Sequence, residues 1–145
     1  MDMEFLKTYL DLMVFGTLGV MSFLMVWFAI ERVLYYHRIN LGNIHHADEL
    51  NVLLTSNLTL ISSVGANAPY IGLLGTVLGI LITFYDLGQG GGIDPSVIML
   101  GLALALKATA AGLFVAIPTI LIYNALLRKV DVLTATWRQQ QAGSQ

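Results

Sequence analysis

The chain has 145 residues, of which 57% are hydrophobic and 11% charged, and its formal net charge is −2. A soluble domain carries about 25% charged residues, so this chain lacks the polar surface that a soluble enzyme of its size needs. The charge balance excludes the basic surface used in nucleic-acid binding, and the apolar content excludes a disordered chain. The composition therefore predicts an integral membrane protein.

The first apolar stretch runs from Leu12 to Ile30. The charges that precede it in residues 1–5 are acidic, whereas a cleaved signal peptide opens with basic residues. A helix needs about 20 residues to cross the hydrocarbon core of a bilayer. We therefore expect a retained membrane span at about residues 12–32.

Two further apolar stretches follow along the chain. The stretch from Ala68 to Tyr85 predicts a span at about 66–86. The stretch from Pro95 to Leu127 contains one charge and is longer than a single crossing needs, so it predicts a span at about 96–127 that continues as a helix into the cytoplasm. The expected fold class is an all-α membrane protein with three transmembrane helices in a single domain, 1–145.

The segment between the first two spans, about 33–65, is predicted to be a cytoplasmic loop. Apolar residues recur at helical spacing from Leu50 to Val64, and Asp48 before them is a candidate N-cap. We expect a short amphipathic helix that leads into the second span. The outside loop, about 87–95, contains a glycine-rich turn at residues 88–92, and the cytoplasmic tail, 128–145, is expected to fray from residue 139 onwards.

Basic residues predict the orientation, because cytoplasmic segments of membrane proteins are enriched in Lys and Arg. Most of the basic residues follow the first span or the third span. They are Arg32, Arg38, Arg128, Lys129 and Arg138. These residues lie on one side of a three-span protein, and the other side holds Lys7. We expect a periplasmic N-terminus and a cytoplasmic C-terminus.

Small and hydroxyl residues form a stripe along the second span and another along the third. At 100° per residue, the second span presents one face made of Gly72, Thr76, Gly79 and Thr83. The third span has a matching face made of Gly101, Ala105, Ala108, Gly112, Ala116 and Thr119, with Thr109 at its edge. Small residues let helices approach closely in lipid, so we expect both stripes to be helix-packing faces.

Two threonines and a proline support a second interpretation. The hydroxyls of Thr76 and Thr109 either line a wet path for protons or bond to a carbonyl of their own helix. Pro118 removes a backbone hydrogen bond inside the third span, and a freed carbonyl is tolerated in a membrane only beside protein or water. We expect a kink at Pro118 that serves helix packing or, alternatively, a hinge or vestibule role.

Lys107 is the ionisable residue that lies deep in a predicted span, about 18 Å along the helix from Pro95. An unpaired charge at that depth costs at least about 2.5–3.5 kcal/mol. The side chain points about 160° away from Thr109 around the helix. Three interpretations stay open: Lys107 bonds to carbonyls between helices, it is the counter-ion of a carboxylate in this chain or a partner, or it releases its proton during transport.

The remaining charged candidates lie at the ends of the spans. Asp86 is either a solvated interfacial carboxylate or a proton acceptor at the outer mouth of a path. Glu31 and Arg32 are expected to anchor the first span at the interface. The three histidines match no ligand spacing, so we expect no metal and no cofactor.

Two segments carry a resemblance to a known family. Residues 67–88 read NAPYIGLLGTVLGILITFYDLG, and residues 101–124 read GLALALKATAAGLFVAIPTILIYN. Together they resemble the MotA/TolQ/ExbB proton-channel family, most closely its ExbB branch. Both segments lie on predicted spans, while the first span and the tail add a compatible topology.

The resemblance implies a function. Such proteins form a ring, usually a pentamer, in the bacterial inner membrane, and single-span helices of an ExbD-like partner pass through it. An intramembrane Asp of the partner takes up and releases protons, and the resulting motion of ring and partner energises TonB, which opens outer-membrane transporters. By motif match, Thr76 and Thr109 are the pore threonines, and Pro118 is the proline of the AIP motif.

The sequence departs from the family pattern in two places. Leu104 stands where TolQ proteins and longer ExbB proteins carry a Glu in the third span. The cytoplasmic loop is also shorter than in those longer proteins. The first departure leaves the third span without a carboxylate and shifts the acid–base role to the Asp of the partner.

Other functions remain as alternatives. Within the family, these are a TolQ-like role in envelope constriction and a MotA-like role in a flagellar stator, although the short loop and the LKATAAGL segment favour the ExbB branch. A small stand-alone transporter usually carries a carboxylate inside a span, and the interiors of the predicted spans have none. A membrane enzyme needs a nucleophile–base pair or a phosphate loop, and the sequence displays neither, so we expect no enzymatic activity.

Overall fold

The computed structural model describes residues 3–90 and 94–144, and all regular structure within them is helical. The elements are α1 (Met3–Arg38), a short 3₁₀ turn (Leu41–Asn43), α2 (Ala47–Thr55), α3 (Leu58–Gln89) and α4 (Pro95–Gly143). Three of the helices, α1, α3 and α4, are long and apolar enough to cross a membrane. Within the described residues, the predicted all-helical class is confirmed, with three helices long and apolar enough to cross a membrane.

The three long helices form one bundle in which α3 and α4 make the most extensive contact and α1 packs against both. We call the end at which α3 stops and α4 begins the hairpin end, and the opposite end the loop end. An ion pair between Lys7 of α1 and Asp86 of α3 places the start of α1 at the hairpin end. Consequently α1 and α4 run in one direction and α3 runs in the other.

Close approach of α3 and α4 depends on glycine at their crossing. A Cβ atom on Gly72 would lie 2.6 Å from the backbone oxygen of Ala108, and one on Gly112 would lie 2.6 Å from that of Ala68. Real Cβ atoms essentially never come within 3.0 Å of another heavy atom. The two helices can therefore touch backbone to backbone only because these side chains are absent.

Helices α1 and α4 extend beyond the predicted spans. Helix α1 starts at Met3, so Asp11, which the sequence placed at the edge of a span, lies inside the helix. Helix α4 continues to Gly143. The expectation that the chain frays from residue 139 onwards is therefore wrong for residues 139–143. Its last turns are held in place because Nε1 of Trp137 and Nε2 of Gln141 both donate hydrogen bonds to the backbone oxygen of Ile44, at 2.9 and 3.3 Å.

The segment between the first two predicted spans is more interrupted than expected. The helical pattern from Leu50 to Val64 is divided between α2 and α3, because Asn57 adopts a left-handed backbone with φ of 68°. The candidate N-cap Asp48 lies inside the first turn of α2, and the N-cap residue is His46. Of the glycine-rich turn, residues 91 and 92 lie outside the described residues.

A buried cluster at the loop end fastens α2 to α1. Arg32, expected to be an interfacial anchor, is 4% exposed, and its Nη1 donates a 2.8 Å hydrogen bond to the backbone oxygen of Leu53. The hydroxyl of Tyr36 donates to the backbone oxygen of Leu54 at 2.6 Å. Because these carbonyls belong to the last turn of α2, two side chains of α1 satisfy the acceptors that the end of a helix leaves free.

Asp94 caps the start of α4 at the hairpin end. Its Oδ1 accepts hydrogen bonds from the backbone N–H and the hydroxyl of Ser96, at 3.0 and 2.8 Å. These bonds favour the ionised carboxylate and hold the pKa of Asp94 below its ordinary value. With Pro95 at the first helical position, this cap fixes where α4 begins.

Candidate functional site

Two threonine hydroxyls meet at the contact between α3 and α4. Thr76 comes from α3 and is 6% exposed, while Thr109 of α4 is half-buried. Their Oγ1 atoms are hydrogen-bonded to each other, and Oγ1 of Thr76 also donates to the backbone oxygen of Ala105 at 2.9 Å. The structure thus joins the two threonines that the sequence singled out.

The direction of these hydrogen bonds follows from the number of protons available. A hydroxyl has one proton to donate. Since Thr76 gives its proton to Ala105, Thr109 must donate to Thr76 in the bond that joins them. The result is a short relay from Thr109 through Thr76 to α4 backbone, and its half-buried end, Thr109, remains open to an incoming donor.

The small residues of both predicted stripes surround this threonine pair. On the hairpin side, a Cβ atom on Gly79 would lie 3.0 Å from Cβ of Ala105, and one on Gly101 would lie 2.5 Å from Cγ2 of Thr83. On the other side, Ala108 stands opposite Gly72. The stripes therefore face each other along the contact, and the threonine pair lies in the middle of it.

The other hydroxyls of the stripes bond within their own helix. Oγ1 of Thr83 donates to the backbone oxygen of Gly79 at 2.9 Å, and Oγ1 of Thr119 donates to that of Val115 at 2.7 Å. Such bonds from i to i−4 are the usual state of a helical threonine. Thr76 differs because its hydroxyl bridges to the neighbouring helix.

Lys107 lies on a different side of α4, where it faces α1. Its Nζ is 3.9 Å from Oδ2 of Asp11 and 5.2 Å from the centre of the Phe15 ring. Both members of the ion pair keep about half of their side-chain surface exposed, at 52% and 55%. The carboxylate of Asp11 offsets part of the cost of a charge at this depth.

Asp86, the other charged candidate, is also paired with α1. Its Oδ2 lies 3.8 Å from Nζ of Lys7, and the two side chains are 47% and 36% exposed. Lys7 and Asp11 are four residues apart on α1 and so lie on the same face, one turn from each other. That face therefore carries two successive ion pairs, one to α3 and one to α4.

A small cavity of about 60 Å³ lies between these ion pairs and the small-residue stripes. Residues of α1, α3 and α4 line it, including Lys7, Asp11, Thr83, Gly101 and Leu104. Leu104, the position of the first family departure, contributes an apolar wall. The contribution of α1 was not predicted from the sequence, because residues far apart in sequence give no sign of which carboxylate approaches which lysine.

Both α3 and α4 contain a proline in their interior. Pro118 is an exposed residue of α4, and helix α4 runs through it without interruption. Pro69 occupies the interior of α3, which the sequence analysis did not consider. Each proline lacks the N–H that would bond to the carbonyl four residues earlier.

Among the residues that the structure describes, no three His, Asp or Glu side chains converge in a way that could hold a metal ion. The site is instead built from two hydroxyls, a contact between two helices and the charges brought by α1.

Comparison with known proteins adds a family to this geometry. A family model described as the MotA/TolQ/ExbB proton channel family matches residues 44–139. A biopolymer transport protein ExbB of Helicobacter pylori is 57% identical over 137 residues, which are 94% of this chain and 94% of that relative. An ExbB protein of Aquifex aeolicus is 48% identical over 135 residues, which are 93% of this chain and 91% of the relative.

A longer relative matches over a shorter region. The ExbB protein of Neisseria gonorrhoeae is 48% identical over 77 residues, which are 53% of this chain but only 35% of the relative. Similarity over nearly the whole chain is thus found with relatives of about the same length.

Proposed function

This chain belongs to the MotA/TolQ/ExbB proton channel family, and we propose that it is the ring-forming subunit of an inner-membrane motor that, with an ExbD-like partner, uses the proton-motive force to energise TonB-dependent uptake. The observation that carries this proposal is the 57% identity to an ExbB protein over 94% of both chains. The ring is a homo-oligomer, with the pentamer as the form that the family resemblance suggests. Its partner is a single-span protein with an intramembrane Asp.

The orientation in this proposal follows from the charges. The hairpin end faces the periplasm, and the loop end, with Arg32, Arg38 and the extension of α4, faces the cytoplasm. The membrane-embedded parts are about 12–32, 66–86 and 96–127, so the last turns of α4 and all of α2 lie in the cytoplasm. The hydrogen bonds from Trp137 and Gln141 to Ile44 support this, because they build a compact unit at the loop end.

Thr76 and Thr109 are the residues of the chain that we place in the proton path. A proton-carrying group must come within hydrogen-bond reach of its acceptor, about 2.6–3.2 Å, or be linked to it through one water. Half-buried Thr109 can offer its hydroxyl to the Asp of the partner, and Thr76 holds that hydroxyl in place from the α3 side. When the Asp is protonated it donates to the oxygen of Thr109, and when it is ionised it can accept the proton of Thr109 only after the bond from Thr109 to Thr76 breaks.

The threonine pair needs a carboxylate that α3 and α4 do not supply beside it. Helices α3 and α4 present no carboxylate beside the two threonines, because Leu104 occupies the position where longer family members carry a Glu. A hydroxyl can pass on a hydrogen bond but does not hold an extra proton near neutral pH. The charge that is neutralised and restored during each cycle must therefore belong to the partner or to another element of the chain.

The test is complementation in a bacterium that lacks its own ExbB. The chain is expressed with its neighbouring ExbD-like partner and TonB, and TonB-dependent uptake of an iron complex is measured. Thr76→Ala and Thr109→Ala are expected to lower uptake, and Thr→Ser at each position, which keeps the hydroxyl, is expected to preserve it. Full activity of the double Ala variant would remove the hydroxyls from the mechanism, and no uptake with the unchanged chain in an assembled complex would refute the proposed function.

A further inference from the structure

The cavity at the hairpin end has a lining that the threonine path does not use. Its volume is about 60 Å³, and a cavity needs only about 10–15 Å³ of such space to hold one water molecule. Helices α3 and α4 supply small or apolar walls such as Gly79, Gly101 and Leu104, together with the hydroxyl of Thr83. The charged groups in the wall, Lys7 and Asp11, both come from α1.

These two charges differ in what surrounds them. Lys7 is paired with Asp86 of α3 at the mouth of the cavity. Asp11 is paired with Lys107 of α4, at 3.9 Å. Asp11 therefore has one cation on its own helix and one on α4, while the carboxylate of α3 is engaged by Lys7.

Lys107 approaches Asp11 from outside the cavity. It lines a separate, open groove between α1 and α4 that contains Phe15 and Phe114, and it does not line the small cavity. The carboxylate of Asp11 thus lies between the water-sized cavity on one side and the ammonium group of Lys107 on the other. Because Lys107 does not line the cavity, it leaves the side of Asp11 that faces the cavity open to water.

The inner end of the cavity reaches the threonine pair. Gly75 and Ala105 belong to the cavity wall. Thr76 follows Gly75 in α3, and its hydroxyl is bonded to the backbone oxygen of Ala105. The cavity lining therefore includes Lys7 near the hairpin end, Asp11 one turn further along α1, and Gly75 and Ala105 beside Thr76.

We propose that Asp11 is a proton-relay residue of the ring, which takes protons from water in this cavity and passes them towards the threonine pair. The proposal rests on the proposed function and adds the carboxylate that α3 and α4 lack. In each cycle one Oδ–H bond forms with a proton from water at the hairpin end and breaks when that proton moves to water at the inner end. Loss of that proton returns Asp11 to the carboxylate that begins the next cycle.

The first experiment measures proton flux into liposomes that contain the complete complex of this chain and its partner, under an applied membrane potential. Asp11→Asn keeps the size of the side chain but cannot take a proton, so flux is expected to fall by about 100-fold, the typical effect of removing a proton-transfer group. Asp11→Glu is expected to retain flux. Flux of Asp11→Asn within about twofold of the unchanged complex would overturn the proposal.

Exchanging the charges of Asp11 and Lys107 distinguishes a proton-relay role of Asp11 from a role in which the ion pair only holds α1 against α4. The double variant Asp11→Lys with Lys107→Asp keeps an ion pair of opposite polarity but moves the carboxylate to the groove beside Phe15. It is expected to assemble and to remain deficient in flux. Restored flux would show that the pair only holds the helices together, and that result would overturn the relay role.

Thiol labelling remains informative if Asp11→Asn fails to assemble. The natural chain has no cysteine, so single cysteines can be followed without background. Asp11→Cys is expected to react with a small water-soluble thiol reagent added at the hairpin end. Its matched control is Leu12→Cys, because Leu12 is 69% exposed on the bundle but does not line the cavity, and it is expected to stay unlabelled in the membrane. An unreactive Asp11→Cys would overturn the proposal.

The failure of this inference can be told apart from the failure of the proposed function. If the unchanged complex shows no proton flux at all, the channel role is refuted and the relay role falls with it. If the unchanged complex conducts and Asp11→Asn conducts equally well, the channel role stands and only the role of Asp11 is refuted.

Discussion

Replacing Gly72 with Ala is expected to push α3 away from α4 and to break the hydrogen bond between Thr76 and Ala105. The added Cβ atom would lie 2.6 Å from the backbone oxygen of Ala108, whereas ordinary contact begins at 3.4 Å, so the helices must separate by about 0.8 Å. A shift of that size would lengthen the 2.9 Å bond from Thr76 to Ala105 to about 3.7 Å, beyond the reach of a hydrogen bond.

The energetic cost combines overpacking with the lost bond. Extra methyl groups in a tightly packed interior typically cost about 1–3 kcal/mol. The lost hydrogen bond adds about 0.5–1.5 kcal/mol. A destabilisation of about 2–4 kcal/mol is therefore expected, which corresponds to a fall of several degrees in the midpoint of thermal unfolding for a chain of this size.

The assay compares thermal unfolding of the purified complex and TonB-dependent uptake for two variants of α3. Gly88→Ala is the matched control, because among the described residues nothing outside its own helical turns lies within 4 Å of the Cβ position at Gly88. Gly72→Ala is expected to lower both readouts, and Gly88→Ala neither. Unchanged unfolding and uptake for Gly72→Ala would refute the reasoning that backbone contact between α3 and α4 holds the threonine pair together.

Lys107→Met is expected to leave ring assembly intact but to lower TonB-dependent uptake, because Asp11 loses its counter-ion; normal uptake in this variant would contradict the counter-ion role. Trp137→Phe removes one of the two donors to the backbone oxygen of Ile44, at a cost of about 1 kcal/mol, and is expected to speed backbone amide exchange around residue 44. Unchanged exchange there would mean that the bond does not hold this segment. Hydrogen bonds favour the ionised form of Asp94, so the cap of α4 is complete at neutral pH and is lost as the pH falls through the lowered pKa. Amide exchange in the first turn of α4 is expected to accelerate over that range, and an equal acceleration in Asp94→Asn, which caps without titrating, would contradict this origin.

Hydropathy was sufficient to predict the three long helices, because a bilayer demands about 20 apolar residues in a row. The true start of α1 was not visible in this way. Lys7 and Asp11 look like residues outside a span until their partners Asp86 and Lys107, far away in sequence, are known. Local hydropathy does not predict ion pairs between helices, because the two partners are far apart in sequence.

Periodicity placed Thr76 on the small face of its helix and Thr109 at the edge of the other. It did not reveal that their hydroxyls touch, because that depends on how far α3 and α4 are shifted along each other. The shift is determined by the backbone contacts of Gly72 and Gly112. The break at Asn57 was missed for a similar reason, since the apolar spacing continues across a left-handed residue that divides the helix.

The measurement that tests the central claim most directly is a structure of this chain in complex with its co-expressed partner. The account predicts a ring of copies around the partner helices, with the intramembrane Asp of the partner within about 2.6–3.2 Å of the hydroxyl of Thr109, or one water away from it. A complex in which that Asp lies far from Thr76 and Thr109 in every subunit would contradict the account.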